Sequence, residues 1–516
     1  MKKLKKMAAM LLALTMILMM SVPVTAAGEY SISITNSSTG HTYEAYQIFS
    51  GDLSNGVLSN ISWGSGVNGS GLLAALKTAD AEKYESCSGA ADVAKALAGE
   101  GGNTTAADTQ AFAEKASQHL ADTPTGTANT PSEGKYTISG LDAGYYLVKD
   151  KDNTLEGTDD SYTAYIVKVL GNVEMAPKSG TATSEKKVKD INDSTDTAYG
   201  NWVDTADHDI GDSIPFQLKG TLPGNYSDYD SYALTFHDTE SAGLTFDKSS
   251  VKVYIDGHLT SSGYTVVTDG LSDDYTFEVR FTDLKTVTAD DNTTKAGNSS
   301  VITVEYESVL NEHAAIGRAG NPNDMVMTFS NNPNGTGTGK TPKDTVIVFT
   351  YKVVVDKVDQ GNEPLQGAEF TLEKKVEGVS DDTWTQIDVL GTAGTDTTFS
   401  FEGLDDGDYR LTETNTPAGY NTIDPIYFTV TATHVDASLS LTNLNGNVTS
   451  GAVQLTFTPS IPDGSLSTTV VNNQGLTLPE TGGIGTTIFY VLGVLLVLGA
   501  GIPLAAKLRM KGGRKE

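Results

Sequence analysis

Val353-Val-Val-Asp-Lys-Val-Asp359, followed by Leu365-Gln-Gly-Ala-Glu-Phe-Thr-Leu372 and Gly407-Asp-Tyr-Arg-Leu-Thr-Glu-Thr-Asn-Thr-Pro-Ala-Gly-Tyr420, decides how this chain folds. Successive side chains of a strand point to opposite faces, so residues two apart share one. In the first string Lys357 shares the face of Val353 and Val355, and in the third Glu413 shares the face of Tyr409 and Leu411. Apolar residues at period two between Gly, Pro and Asn turns predict an antiparallel sandwich with Val, Phe, Leu and Tyr inside. The same phase turns Lys357 and Glu413 inward with them. An exposed Lys would more naturally lie on the face of Asp356.

This segment is expected to span residues 344–473. Working outward, residues 183–340 carry Tyr232-Ala-Leu-Thr-Phe236, Val251-Lys-Val-Tyr-Ile255 and Val301-Ile-Thr-Val-Glu-Tyr306 between Asp/Gly turns, which predicts a second sandwich. Residues 28–176 mix alternating runs such as Tyr30-Ser-Ile-Ser-Ile34 with Ala-rich stretches of helical spacing at Ala90–Ala98 and Ala106–Leu120. The fold class is therefore mainly β: tandem immunoglobulin-like β-sandwich domains, the first with helical insertions, followed by a C-terminal transmembrane helix.

The two ends of the chain point to export. Residues 1–26 have a Lys-rich start, an apolar stretch and a Val24-Thr25-Ala26 site, the pattern of a secretory signal peptide. Within residues 478–516, Leu478-Pro-Glu-Thr-Gly482 precedes an uncharged run over 484–506, about the 20 residues a helix needs to cross a bilayer. Lys507, Arg509, Lys511, Arg514 and Lys515 then hold the tail on the cytoplasmic side. A net charge of −30 argues against nucleic-acid binding. The single Cys, Cys87, cannot form an internal disulfide, so an exported chain must be strengthened in another way.

The LPxTG pentapeptide, span and basic tail resemble the sorting signal of Gram-positive surface proteins, in which a sortase cuts between Thr and Gly, here Thr481 and Gly482. The three strings of residues 353–420 resemble the collagen-adhesin B-type domain. Together they make the chain similar to a major (backbone) pilin of Gram-positive sortase-assembled pili. That resemblance implies a class C pilus sortase and a housekeeping sortase, identical subunits, minor pilins, peptidoglycan and host surface receptors as partners. It also implies a wall-anchored surface location and no cofactor.

Polymerisation in that family joins the Thr carbonyl to a Lys in a motif resembling V-x-V-Y-P-K. Here Val173-Glu-Met-Ala-Pro-Lys178 makes Lys178 the candidate amine, although Met175 and Ala176 depart from the pattern. Pro177 lacks an N–H and would hold Lys178 out of a regular ladder.

Within its domains the family forms Lys–Asn amide bonds autocatalytically. Such a bond requires a neutral Lys, favoured by burial, and a buried acid beside the Asn. The resemblance gives Lys357, Glu413 and Asn472 in the third segment, with Asn473 as the neighbour that a one-residue slip would select. In the second, strand phase selects Lys186, in phase with Val188, and Asn331, in phase with Met327 and Phe329, and the resemblance gives Asp238, in phase with Phe236. Lys187 and Asn332 are the alternatives there.

Classical enzymes are disfavoured. No HExxH, P-loop or GxSxG occurs, and the acid clusters lack EF-hand spacing. The rival reading is a monomeric LPxTG-anchored adhesin, for which Lys178 would be irrelevant.

Overall fold

The computed structural model describes residues 28, 30–54, 57–98, 106–176, 180–333, 335–378, 383–451, 455–475, 489–500 and 507. The chain is mainly β, and its buried apolar residues gather along the sequence in the order of three sandwich-like units.

In the first unit, the strand Tyr43–Ser54 is buried on both faces over residues 43–49. Tyr43 and Ala45 pack toward Ile32, Tyr136 and Ile138, while Tyr46 and Ile48 pack toward Leu72, Leu76, Val93 and Phe112 of the helices. One five-stranded sheet therefore carries a small three-stranded sheet on one side and helices on the other. The helices are Gly69–Ala79, Ala81–Tyr84, Ala90–Ala98 and Ala106–Ser117. The first is capped by Asn68, whose side chain accepts from the Gly71 N–H, one of the orphan donors of a helix start. Cys87 is buried in this helical layer, and burial pushes its thiol pKa up.

The middle unit packs a six-stranded sheet against a seven-stranded one. Val188, Phe216, Val304 and Tyr306 from the first meet Phe236, Met325, Met327 and Val346 from the second. Asp344–Phe349 belongs here. It pairs with Asn321–Ser330 on one side and Thr205–Asp207 on the other. The expected start of the third segment at residue 344 is thus corrected: that strand completes the middle sheet, and the buried Thr350 alone separates it from Tyr351–Asp359.

In the third unit Tyr351–Asp359 lies in a four-stranded sheet, parallel to the last strand, Ser465–Asn472, and antiparallel to Thr398–Leu404. The facing five-stranded sheet contains Glu369–Lys375, Gly407–Asn415 and Ile426–Val435. At the junction with the middle unit Lys374 lies buried among Asp193, at 2.7 Å, Asp209, at 2.5 Å, and Asp405. Among the described residues no helix is long and apolar enough to cross a membrane. The expected span at 484–506 lies largely outside the described residues, within which 489–500 is helical with exposed apolar side chains.

Candidate crosslinking sites

In the third unit the parallel register sets Lys357 opposite Val470 and Asp359 opposite Asn472. Lys357 and Asn472 are therefore diagonal neighbours on the same inward face of adjacent strands. Both are fully buried. The Lys357 Nζ donates to the carbonyls of Val358 (3.2 Å) and Val470 (3.3 Å). Burial pushes its pKa down to about 8, against the opposing pull of Glu413 and Asp359. Glu413 descends from the facing sheet, and its two oxygens accept from the Asn472 amide at 2.8 and 3.1 Å. The Ile423 N–H and the Thr416 hydroxyl hold the same carboxyl at 3.2 Å each. Asn472 Oδ1 has no hydrogen-bond partner, whereas Asn473 is exposed.

The middle unit builds a second buried cluster around Tyr306. Its hydroxyl donates to Asp238 Oδ2 (2.8 Å) and accepts from Lys186 Nζ and from Asn323 Nδ2, each at 2.9 Å. Lys186 also donates directly to Asp238. All of these side chains are essentially inaccessible. Burial drives the Lys186 ammonium pKa down and the Asp238 carboxyl pKa up, so both shifts favour the neutral amine and the neutral acid. Glu240, half-buried nearby, is pushed up to about 7 by desolvation and then by Asp238. Lys187 instead points out toward Asp204, at 2.6 Å.

Asn331 is not at this cluster, which corrects the expectation drawn from its phase. Its strand ends at Ser330, and beyond it the Asn331 amide donates to the carbonyls of Leu155 (3.0 Å) and Asp160 (3.2 Å) in the first unit. Asn332 likewise turns to the carbonyl of Thr336 at 3.2 Å. Asn323, eight residues earlier on the same face, occupies the place expected of Asn331. Its signal was present in the sequence, since it is in phase with Met325, Met327 and Phe329. Tyr306 was legible in the same way, two positions after Val304. The candidate linkage residues Lys178, Thr481 and Gly482 lie outside the described residues.

Each cluster thus brings together an amine, an acid and a carboxamide in a site with no water-exposed face. Residues 351–445 match the family described as the SpaA prealbumin-like fold domain. The T6 backbone pilin of serotype M6 Streptococcus pyogenes, described as a modular three-domain structure decorated with variable loops and extensions, superposes with a TM-score of 0.54 at 18% identity. That match covers 87% of this chain and 100% of the other. The fold is that of a backbone pilin. In sequence, the chain is 24% identical over 362 residues to the trypsin-resistant surface T6 protein of S. pyogenes serotype M6, covering 56% of this chain. It spans 63% of the length of that curated relative. The full-length major pilin SpaD of Corynebacterium diphtheriae aligns with a TM-score of 0.48 at 18% identity, over 88% of this chain and 99% of that one.

Proposed function

We propose that this chain is the structural backbone subunit of a covalently polymerised cell-surface pilus, stiffened by internal Lys–Asn amide bonds. The observation that carries the reading is the pair of buried Lys–acid–Asn clusters, one in each of the two C-terminal sandwiches of a backbone-pilin fold. It is further supported by the LPETG sequence at 478–482 and the apolar run behind it.

In each cluster the Lys Nζ, once neutral, attacks the Asn Cγ. A new C–N bond forms, the bond to Nδ2 breaks, and ammonia leaves. The ammonium first gives one proton to the acid, Glu413 or Asp238, and the second proton, lost by the attacking nitrogen as the amide forms, passes through that acid to the departing nitrogen. The crosslinks under this reading are Lys357–Asn472 and Lys186–Asn323. The first ties the opening strand of its sandwich to the closing one, so tension runs along a covalent path instead of through ladder hydrogen bonds.

Between subunits, Lys178 attacks the sortase-held Thr481 carbonyl of the next chain, and the last subunit is transferred to peptidoglycan. The domains that act as units are residues 28–176, 183–349 and 351–473, followed by the sorting signal at 478–516. Boiling wall extracts in detergent and blotting for this chain tests the function. A ladder abolished by Lys178→Ala is the expected result. A single wall-attached band in the wild type would instead mean a monomeric adhesin.

A further inference from the structure

A second set of titratable groups lies at the junction of the middle and third units, outside both crosslinking clusters. Asp190 follows the strand Thr183–Lys189, Asp207 closes Thr205–Asp207, and His434 comes from Ile426–Val435 of the third unit. One ligand atom from each lies within 4.8 Å of the others.

The tautomer of His434 can be read from its neighbours. The Thr205 hydroxyl donates to Asp436 Oδ1 at 2.7 Å and lies 2.7 Å from His434 Nδ1. With its own proton committed to Asp436, the hydroxyl must accept from Nδ1–H. In the neutral ring Nε2 is then a bare lone pair, 3.5 Å from Asp207 Oδ1 and 3.8 Å from Asp190 Oδ2. Those separations are long for hydrogen bonds. The Asp207 separation matches an edge of a ligand tetrahedron and the Asp190 one exceeds it slightly, because Zn–N and Zn–O bonds of about 2.0–2.2 Å place neighbouring ligand atoms about 3.3–3.5 Å apart. A hydroxyl backed by a carboxylate on the far nitrogen is also the usual support of a metal-binding imidazole.

Two further observations favour a cation. Asp207, 2% exposed, has its other oxygen buried without a well-formed hydrogen bond, the Tyr351 hydroxyl being its neighbour. The neighbouring acid triplet of Asp193, Asp209 and Asp405 holds the ammonium of Lys374, whereas among the described residues Asp190 and Asp207 form no ion pair with a Lys or Arg and face the His434 imidazole, whose pKa they raise against burial. Asp190 keeps the site open, since about a third of its side chain is exposed.

We propose that Asp190, Asp207 and His434 bind one divalent cation of the zinc class and thereby pin the third unit to the middle one. Two carboxylates and an imidazole suit such an ion better than Mg2+ or Ca2+, which favour all-oxygen shells. The site is independent of the crosslinks and would stand if the pilus reading failed.

The test is calorimetric titration of the chelator-stripped, purified chain with ZnCl2, with MgCl2 and CaCl2 in parallel. One saturable Zn2+ per chain is expected. His434→Gln and Asp190→Asn should each weaken it at least about tenfold, and Co2+ in its place should give the visible absorption of a tetrahedral site. Metal-free melting curves of the variants check that they are folded; Asp190 is partly exposed, so its variant should keep the parent melt. No saturable Zn2+ binding, or Zn2+ binding unchanged in both folded variants, overturns the proposal.

Discussion

Replacing Asn323 by Ala should remove the proposed crosslink of the middle unit without touching the reacting amine. A bond from Lys186 to Asn323 would close a loop of about 140 residues, for which the chain-entropy treatment of crosslinks gives roughly 5 kcal/mol, strain aside. For a sandwich of this size, each kcal/mol is worth about 2–4 °C, so the middle transition should fall by about 10–20 °C. Part of any loss would come from Tyr306, whose hydroxyl loses the Asn323 donor at 2.9 Å, a contribution of about 1 kcal/mol. Asp238→Asn separates the two effects, because it blocks the reaction while keeping Asn323. Scanning calorimetry paired with intact mass provides the assay. Both variants should be one ammonia heavier, relative to their own sequences, than the parent is relative to its own. Asn331→Ala should keep the parent deficit and lose only its hydrogen bonds to the first unit, about 1–3 kcal/mol. If Asn323→Ala retains the full deficit and Asn331→Ala loses it, the assignment from the Tyr306 cluster is wrong.

Lys357→Ala and Glu413→Ala should each destabilise the third unit by roughly 4–5 kcal/mol, the value for a closed loop of about 115 residues, and expose it to protease; parent-like melting of both would remove that triplet from the account. Lys374→Met should cost about 3–5 kcal/mol in denaturant unfolding, because Asp209 and Asp405 would be left buried without their cation. A variant as stable as the parent would show that the junction does not depend on this ion cluster. In the first unit the carboxylates of Asp150, at 2.7 Å, and Asp160, at 3.0 Å, outweigh burial and lift His41 from 6.5 to about 9. A raised pKa stabilises fully below the unfolded value, so this contribution should be complete below about pH 6.5 and fade as pH rises through 9. Burial holds Asp150 above its usual range even against the imidazolium, which trims the net effect to on the order of 1–2 kcal/mol. His41→Asn should flatten the melting profile of the first unit between pH 6 and 10, and an unchanged slope would contradict this assignment.

Strand phase made the inward faces legible but not the height along them. Period-two alternation places Asn323, Met325, Met327, Phe329 and Asn331 on one side, and nothing in that pattern says which rung is level with Lys186. The level is set by pairing between distant strands, with Asp238 opposite Met325 and Lys186 opposite Leu218. In the third unit Lys357 and Asn472 were easier to read, because the first and last strands of one sandwich are direct neighbours. The boundary near residue 344 was hidden for a different reason. The Gly/Thr-rich stretch before it has the composition of a linker, yet Thr338–Lys340 pairs at the edge of the middle sheet, while the true junction at Thr350 lies between two apolar strands. The ion pair of Lys374 with Asp209 joins residues 165 apart, and no local pattern announces it.

The two proposed internal amide bonds are tested most directly by the intact mass of the exported wild-type chain, purified without denaturing treatment, with its protease peptides mapped. The expected mass is two ammonias below that of the processed sequence, with branched peptides joining Lys186 to Asn323 and Lys357 to Asn472. A mass equal to the sequence value, with all four residues recovered in linear peptides, would contradict the covalent account of how this chain bears load.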